Sequence, residues 1–445
     1  MDLLEQIRAA GVVGCGGAGF PSHVKFGARA DTLIINAAEC EPLLRTDRTL
    51  LLRGAAHICG AALALKKQLG AARAVIALKG SYVSETAALR AALPEGLELF
   101  LLQSFYPAGD EQVLVYEVTG RVVPPGGIPL DVGCVVTNAA TAHAVWQAMR
   151  GRPFLFKYLT IAGAVRRPVV IKTPVGTPFA DCLAAAGGAA RSDIIVVSGG
   201  PMMGRPMAME EAMGSYVTKT TSGFLVLPER ARLWQTAQTP LRHVRNRAAS
   251  ACVQCSFCTQ LCPRYLLGHP LEPHKIMRRC GSARPLEELL DEPVMRTAQY
   301  CCECGVCELI ACPMGLQPRR VNAALKRAYA ARGERPQKGE TGLAARAYRD
   351  ERRCPTAQAA ARAGAGSFAP EEISFDEIQP ERVCISLKSH IGVPAEPLVR
   401  AGQRVARGDR IAACPQGKLG ADYHASIAGV IREIGENGIH IEGEG

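Results

Sequence analysis

The chain has 445 residues, 48% of them hydrophobic, with 18 cysteines and a formal net charge of +11. That length suits about three globular domains, and no uninterrupted apolar run reaches the length a membrane-crossing helix needs. Aromatics are only 5% and no nucleic-acid motif accompanies the arginines, so the charge does not read as a nucleic-acid surface; eight thiols in close spacing and no signal-peptide pattern point to a reducing cytoplasm rather than a secreted disulfide scaffold.

In chain order, Leu3, Leu4 and Ile7 share one helical face before the loop Gly14-Cys15-Gly16-Gly17-Ala18-Gly19-Phe20-Pro21. Extended runs at 32–36 and 74–78 flank a helical stretch at 48–69, followed by a run at 97–103, a helix from about Asp110 and a run at 134–137. Strands alternating with helices over 1–150 predict a parallel α/β sheet. From Tyr158, strands at 159–163, 169–172 and 194–197 around a short helix at 179–186 predict a β-grasp-like module spanning 151–228. Pro, Arg and Thr thicken between 228 and 250, which marks a boundary. Residues 229–333 read as helices between cysteine loops, and 334–372, poor in large apolar groups, as a linker or partly disordered segment. Short strands over 373–445 predict a compact β barrel-sandwich of the kind lipoyl and biotinyl carriers use. Lys418 falls near a carrier lysine position but lacks the flanking methionines, and carrier function is set aside.

The cysteine spacing carries the chemistry. Cys252-x2-Cys255-x2-Cys258-x3-Cys262-Pro263 and Cys301-x2-Cys304-x2-Cys307-x4-Cys312-Pro313 are the pattern by which a chain wraps two [4Fe-4S] clusters. The fourth thiol of each run is expected to cross over, pairing Cys252, Cys255 and Cys258 with Cys312, and Cys301, Cys304 and Cys307 with Cys262. The second run has one extra residue before Cys312, and Cys302 stands beside Cys301; only Cys301 has the x2 spacing to Cys304, so Cys302 is read as a bystander. Two structural zinc sites are the bland alternative. Arg230, Arg232, Arg242, Arg245 and Arg247 precede the first run, and Arg319, Arg320, Lys326 and Arg327 follow the second. These cations either answer the negative clusters and an acidic partner or form solvated helix faces.

Gly14-x-Gly16-x-x-Gly19, with Glu39 twenty residues on, matches the dinucleotide fingerprint, although a helix and not a strand precedes it; a glycine-rich turn without ligand is the alternative. The fuller strings around Gly14 to Phe26 and Ile35 to Pro42, with Tyr106-Pro-Ala-Gly109-Asp110-Glu111 and Thr137-Asn138, resemble the flavoprotein subunit of complex I and, more closely, the RnfC component of the Rnf complex. The placement of the sandwich module at the C-terminal end, the Cys301-Cys302 doublet and the Ala311-Cys312-Pro313-Met314 string resemble the cobalamin reductases of propanediol-utilisation microcompartments.

This resemblance implies a multidomain α/β chain with four units. They are a Rossmann-like FMN domain over 1–150, a β-grasp module of the SLBB type over 151–228, a helical two-cluster ferredoxin-like domain over 229–333, and a barrel-sandwich hybrid over 373–445. It implies FMN, two [4Fe-4S] clusters, NADH as donor and a corrinoid as acceptor. Carried over by position, Gly14, Gly16, Gly17, Lys25, Asn36, Glu39, Gly109, Asp110 and Asn138 line the FMN, with Tyr106 in the same motif. Phe20, Glu41 and Glu111 receive NADH. Cys15 and Ala38 stand where the complex I family has arginine and aspartate, and Cys15 and Cys40 read as space-filling residues. Implied partners are a corrinoid or a corrinoid-handling adenosyltransferase and a microcompartment shell protein, with no nucleic acid and no direct membrane span.

The chemistry expected is hydride transfer to flavin and single-electron exit through the clusters, with no side chain needed as acid or base. An Asp-x-His-x-x-Gly corrinoid motif is not met, because Asp422-Tyr-His424 is followed by glycine only at Gly429. His269, His274 and His424 read as ordinary polar residues. An Rnf-type subunit exchanging electrons between NADH and ferredoxin, and a non-catalytic electron-transfer adaptor to a shell protein, are the rival readings.

Overall fold

The structure, a computed structural model, describes residues 2–282, 284–369 and 372–443. Four parallel strands form the sheet of the N-terminal domain, in the order Glu98–Leu102, Arg73–Lys79, Thr32–Asn36, Cys134–Asn138. Leu33, Ile34 and Ile35 are wholly buried in succession because helices cover both faces of the sheet. Helix Thr46–Leu69 is long and apolar enough to cross a bilayer. Here it packs instead on helix Ala139–Ala148 and the sheet, burying Leu50, Leu51, Ile58, Leu65 and Leu69, while Arg48, Arg53, Lys66 and Lys67 lie outside that buried face. The chain leaves Thr32–Asn36 toward one side of the sheet, and Cys134–Asn138 lies on the other. The crevice at the carboxyl ends of these two neighbours, marked by Asn36 and Asn138, is where a ligand sits in such sheets.

The second module is a six-stranded mixed sheet ordered Ser374–Glu377, Val169–Pro174, Phe156–Gly163, Gly223–Pro228, Ile194–Ser198, Arg205–Met207, with Phe179 and Phe224 meeting edge to face in its core. Its outer strand Ser374–Glu377 comes from the segment that the sequence places at the head of the C-terminal module. It pairs in parallel with Val169–Pro174 and is clamped by Arg167–Asp376 (2.6 Å) and Lys172–Glu377 (3.0 Å). A four-residue edge strand held by backbone and charge has no apolar signature that would have announced it.

The cluster domain packs helices Leu241–Ala251, Pro273–Cys280 and Pro318–Ala331 around Val244, Ile276, Met277, Val321, Leu325 and Tyr329. Residues 334–372 join this domain to the C-terminal module, and the described part is held rather than loose. Gly339 N donates to Pro125 O, Cys354 pairs with Tyr106 in a short antiparallel bridge, helix Thr356–Arg362 comes next, and Arg349 and Arg353 engage the buried Glu117. Partial disorder is therefore not what the described residues 334–369 adopt. Polar anchors replace the large apolar groups whose scarcity suggested it. The C-terminal module closes two small sheets, Arg382–Ile385, Gly438–Gly443, Gly429–Gly435, Arg404–Val405 and Glu396–Pro397, Arg410–Ala413, Tyr423–His424, over Ile411, Tyr423, Ile431 and Ile439.

Candidate functional site

The eight thiols fall into two groups around two cavities. Cys252, Cys255, Cys258 and Cys312 line one, with His274, Met277 and Met314. Cys262, Cys301, Cys304 and Cys307, with Cys302, line the other. Among the described residues no three His, Cys, Asp or Glu side chains come together tightly enough to hold a single metal ion. The donor set, four thiols around each cavity on the x2 spacing, is the one a [4Fe-4S] cluster takes.

The two loops are pseudo-equivalent. Gln254 and Ser256 in the first, and Glu303 and Gly305 in the second, all have positive φ. Left-handed residues at alternate positions turn backbone amides toward the concavity, as in anion-binding nests, and Glu303 N indeed points at Cys301 Sγ (3.3 Å). On this alignment Cys301 matches Cys252, whereas Cys302 matches the non-thiol Val253. Cys302 nevertheless borders the second cavity, close to Cys304. The extra residue of the second run is absorbed where residues 306–311 form a π-helical turn in place of the α-turn Phe257–Gln260 of the first. A one-residue insertion accommodated as a π-bulge keeps the flanking contacts, and here it delivers Cys312 to the first cavity.

At the sheet crevice, the strand ends and the glycine loop converge. Asn36 Nδ2 donates to Gly109 O (2.8 Å) and its Oδ1 accepts from Ala38 N (3.2 Å). Gly109 N points at Cys40 Sγ (2.7 Å), and a Cβ on Gly109 would press on Cys40, Ala38 and Asn36. Asn138 caps the following helix through Ala140 N and donates to Asp47 Oδ2 (2.8 Å). The glycine loop passes over it, since a Cβ on Gly16 would meet Asn138 Cβ at 3.7 Å. Gly16, Gly17 and Ala18 are exposed, and Gly17, at φ +111°, has open space where a Cβ would be. Gly14 N is tied to Phe20 O, which closes the loop, and Phe20 is half-buried. An exposed glycine turn with nothing beside it lets a phosphate or ring approach the backbone.

Buried carboxylates stand next to this loop. Glu39 accepts from Asp47 N and Arg48 N at the start of Thr46–Leu69. Burial, reinforced by Asp47, pushes Glu39 up to about 7, and burial pushes Asp47 up to about 6. Lys25 pairs with Glu111 (3.0 Å) at the half-exposed edge. Three expected residues reach across domains. Glu41 Oε2 accepts from Met202 N (2.8 Å) in the Gly199 to Gly204 loop of the second module; burial raises it to about 7, and its Oε1 has no partner among the described residues. Asp110 caps helix Glu111–Thr119 and forms a two-pronged, buried ion pair with Arg264 (2.5 and 3.0 Å), which follows Cys262 and Pro263. Tyr106, also buried, donates from Oη to Cys304 O (2.7 Å).

Sequence reasoning missed Thr141, which accepts from Cys15 N, and buried Lys157, whose Nζ donates to Cys15 O. It also missed Arg264; Arg319, singled out only as one of the cations after the second run, is held between Glu308 and Met202 O. Each lies over one hundred residues from a partner, and no local pattern marks it. His269 Nε2 donates to Val123 O, and His424 is buried; burial lowers both to about 4.

Comparison with known proteins assigns the same parts. The Nuo51 FMN-binding domain family matches 7–147, the SLBB domain 158–206, the 4Fe-4S dicluster domain 251–317 and the RnfC barrel sandwich hybrid domain 371–444. The chain is 40% identical to cobalamin reductase PduS of Salmonella typhimurium (strain LT2), covering 99% of this chain and 96% of that one. It is 39% identical, with the same coverage, to cobalamin reductase PduS of Citrobacter freundii. The C component of the ion-translocating oxidoreductase complex of Rhodobacter capsulatus is 35% identical over 59% of this chain and 49% of its own length.

Proposed function

The chain belongs to the cobalamin reductase PduS family, and from that premise we propose that it passes electrons from NADH through FMN and two [4Fe-4S] clusters to a corrinoid. It is a flavin and iron-sulfur oxidoreductase. FMN supplies the two-electron to one-electron conversion that joins a hydride donor to clusters accepting single electrons. The exposed amides of Gly16 and Gly17 suit its phosphate, Lys25 supplies a cation at the same edge, and Asn36, Gly109 and Asn138 form the crevice wall. Phe20 offers a stacking face for nicotinamide, and Glu111 a carboxylate for ribose hydroxyls.

The observation that carries the reading is the asymmetry of the two thiol cavities. The one bounded by Cys301, Cys304, Cys307 and Cys262 is fastened to the flavin domain through Tyr106–Cys304 and Arg264–Asp110. The other, bounded by Cys252, Cys255, Cys258 and Cys312, borders the surface, where Val253 and Met314 are exposed. Electrons enter at the first of these and leave at the second. The protein's work would be to hold the three centres and to set their potentials. The relatives' name favours a corrinoid acceptor, a microcompartment setting, and an adenosyltransferase or shell protein nearby.

Anaerobic reduction of aquocobalamin by NADH tests this directly. The reconstituted holoprotein is expected to generate cob(II)alamin with NADH oxidised in step. Reduction of ferredoxin with cobalamin untouched would move the reading to an Rnf-type subunit, and intact clusters with no NADH oxidation would leave an electron-transfer adaptor.

A further inference from the structure

The two cysteine loops are pseudo-equivalent, yet only one is covered. In the second loop Val306, between Gly305 and Cys307, is 1% exposed and packs with Tyr106 and Met202 under the flavin domain and second module. Its counterpart in the first loop is Phe257, 43% exposed; Val253, at the position equivalent to Cys302, is 62% exposed. Met314, just beyond Cys312, is 40% exposed. An apolar rim around a thiol cavity is what the second loop buries against a redox domain of the same chain. The first loop presents the same rim bare.

The surroundings of that rim carry exposed cations. Of the eleven Lys and Arg in 241–280 and 312–330, Arg264, Lys275, Arg279, Arg319 and Lys326 pair with Asp110, Glu272, Glu292, Glu308 and Glu303, while the exposed Arg242 and Arg247 have no ion pair among the described residues. Arg247 donates to the carbonyls of Met314 and Gly315, and Arg232 to those of Glu308 and Leu309, so cations flank the segment that carries Cys312. Arg278, exposed one turn beyond the cavity-lining His274, has no ion pair among the described residues.

We propose that this face, besides serving corrinoid reduction, docks an acidic redox protein, which receives one electron at a time from the cluster held by Cys252, Cys255, Cys258 and Cys312. It rests on the reading that these thiols hold a cluster. The partner's chemistry comes from complementarity: carboxylates ring its acceptor group to meet Arg247 and Arg278, and an apolar centre meets Phe257, Val253 and Met314. Each transfer oxidises the reduced cluster by one electron and reduces the partner's centre by one, with no bond made or broken.

The test uses photoreduced, reconstituted holoprotein mixed in a stopped-flow with cytochrome b5 as an acidic probe and cytochrome c as a basic one. With cytochrome b5 the second-order rate constant is expected to fall about tenfold between about 20 and about 300 mM salt. At low salt, Arg278→Glu should lower it about threefold and Arg247→Glu/Arg278→Glu about tenfold, while cytochrome c reduction rises. The cluster EPR signals of the variants should keep their shape and intensity, and Arg278→Glu alone carries the test if the double variant fails to assemble its clusters. Cytochrome b5 rates indifferent to salt and to Arg278→Glu, or wild-type protein reducing cytochrome c faster than cytochrome b5 at low salt, would overturn the proposal. Absence of any cluster signal in photoreduced wild type would instead reject the reading beneath it.

Discussion

Replacing Asp110 by asparagine isolates the contact that joins the flavin domain to the cluster domain. Asp110 and Arg264 are almost fully buried, with side-chain exposures of 13% and 9%, and both carboxylate oxygens are engaged. Burial alone would raise the Asp110 carboxyl; Arg264, together with the amides of Gln112 and Val113, holds it below its ordinary value. Its stabilising contribution is thus present above the unfolded carboxyl pKa and is lost as pH falls through the lower folded value. Asparagine keeps the shape and the helix cap through its side-chain oxygen but strands the guanidinium. Removing one partner of a buried pair costs about 3–5 kcal/mol. The stranded charge sits beside Cys302 and Cys304, so the potential of the adjoining cluster should rise by on the order of tens of millivolts. Urea midpoints from tryptophan fluorescence, for Asp110→Asn, Arg264→Met and the double variant, measure the stability half. The double variant should be less destabilised than the sum of the singles by about 2 kcal/mol or more. Additive losses, or an unchanged potential in an EPR titration of Asp110→Asn, would refute the reasoning.

Other outcomes rest on the same contacts. Gly200→Ala should loosen the second module from the flavin domain, because a Cβ there collides with the Glu41 side chain and with it the bond to Met202; faster proteolysis between these domains would register it. Glu41 binds its proton more tightly folded than unfolded, so its contribution is full below about 4.5 and is lost by about 7. Glu41→Gln should therefore gain on wild type by up to about 3 kcal/mol in urea titrations as pH rises over that window. Cys301→Ser should abolish one cluster EPR signal, whereas Cys302→Ser should leave both. Tyr106→Phe orphans the buried Cys304 carbonyl, which should cost about 1–3 kcal/mol and perturb the spectrum of the cluster beside it and not the other.

The spatial grouping of the thiols was legible because the cysteine pattern has short, fixed spacings and a fourth residue expected to cross over, all written within a few residues. The glycine loop, Asn36 and Asn138 were legible for a related reason, as they stand at strand ends and at the start of a helix. The extra residue before Cys312 was visible, but its consequence was not, since a π-turn depends on how residues 306–311 pack beneath Tyr106 and Met202. Glu41, Asp110 and Tyr106 were singled out as residues of one site, and the structure engages all three with other modules. Such contacts join residues over one hundred apart and leave no periodicity. The strand Ser374–Glu377 and the tethered stretch around Arg349 and Arg353 escaped for a similar reason, because edge pairing and ion pairs give no hydrophobic pattern.

The most direct measurement is anaerobic iron, sulfide and flavin analysis of the purified, reconstituted chain, joined to an EPR-monitored redox titration. About eight iron and eight sulfide per chain with one FMN, and two cluster signals appearing on reduction, are expected. Zinc in place of iron and sulfide, or iron without flavin, would contradict the account.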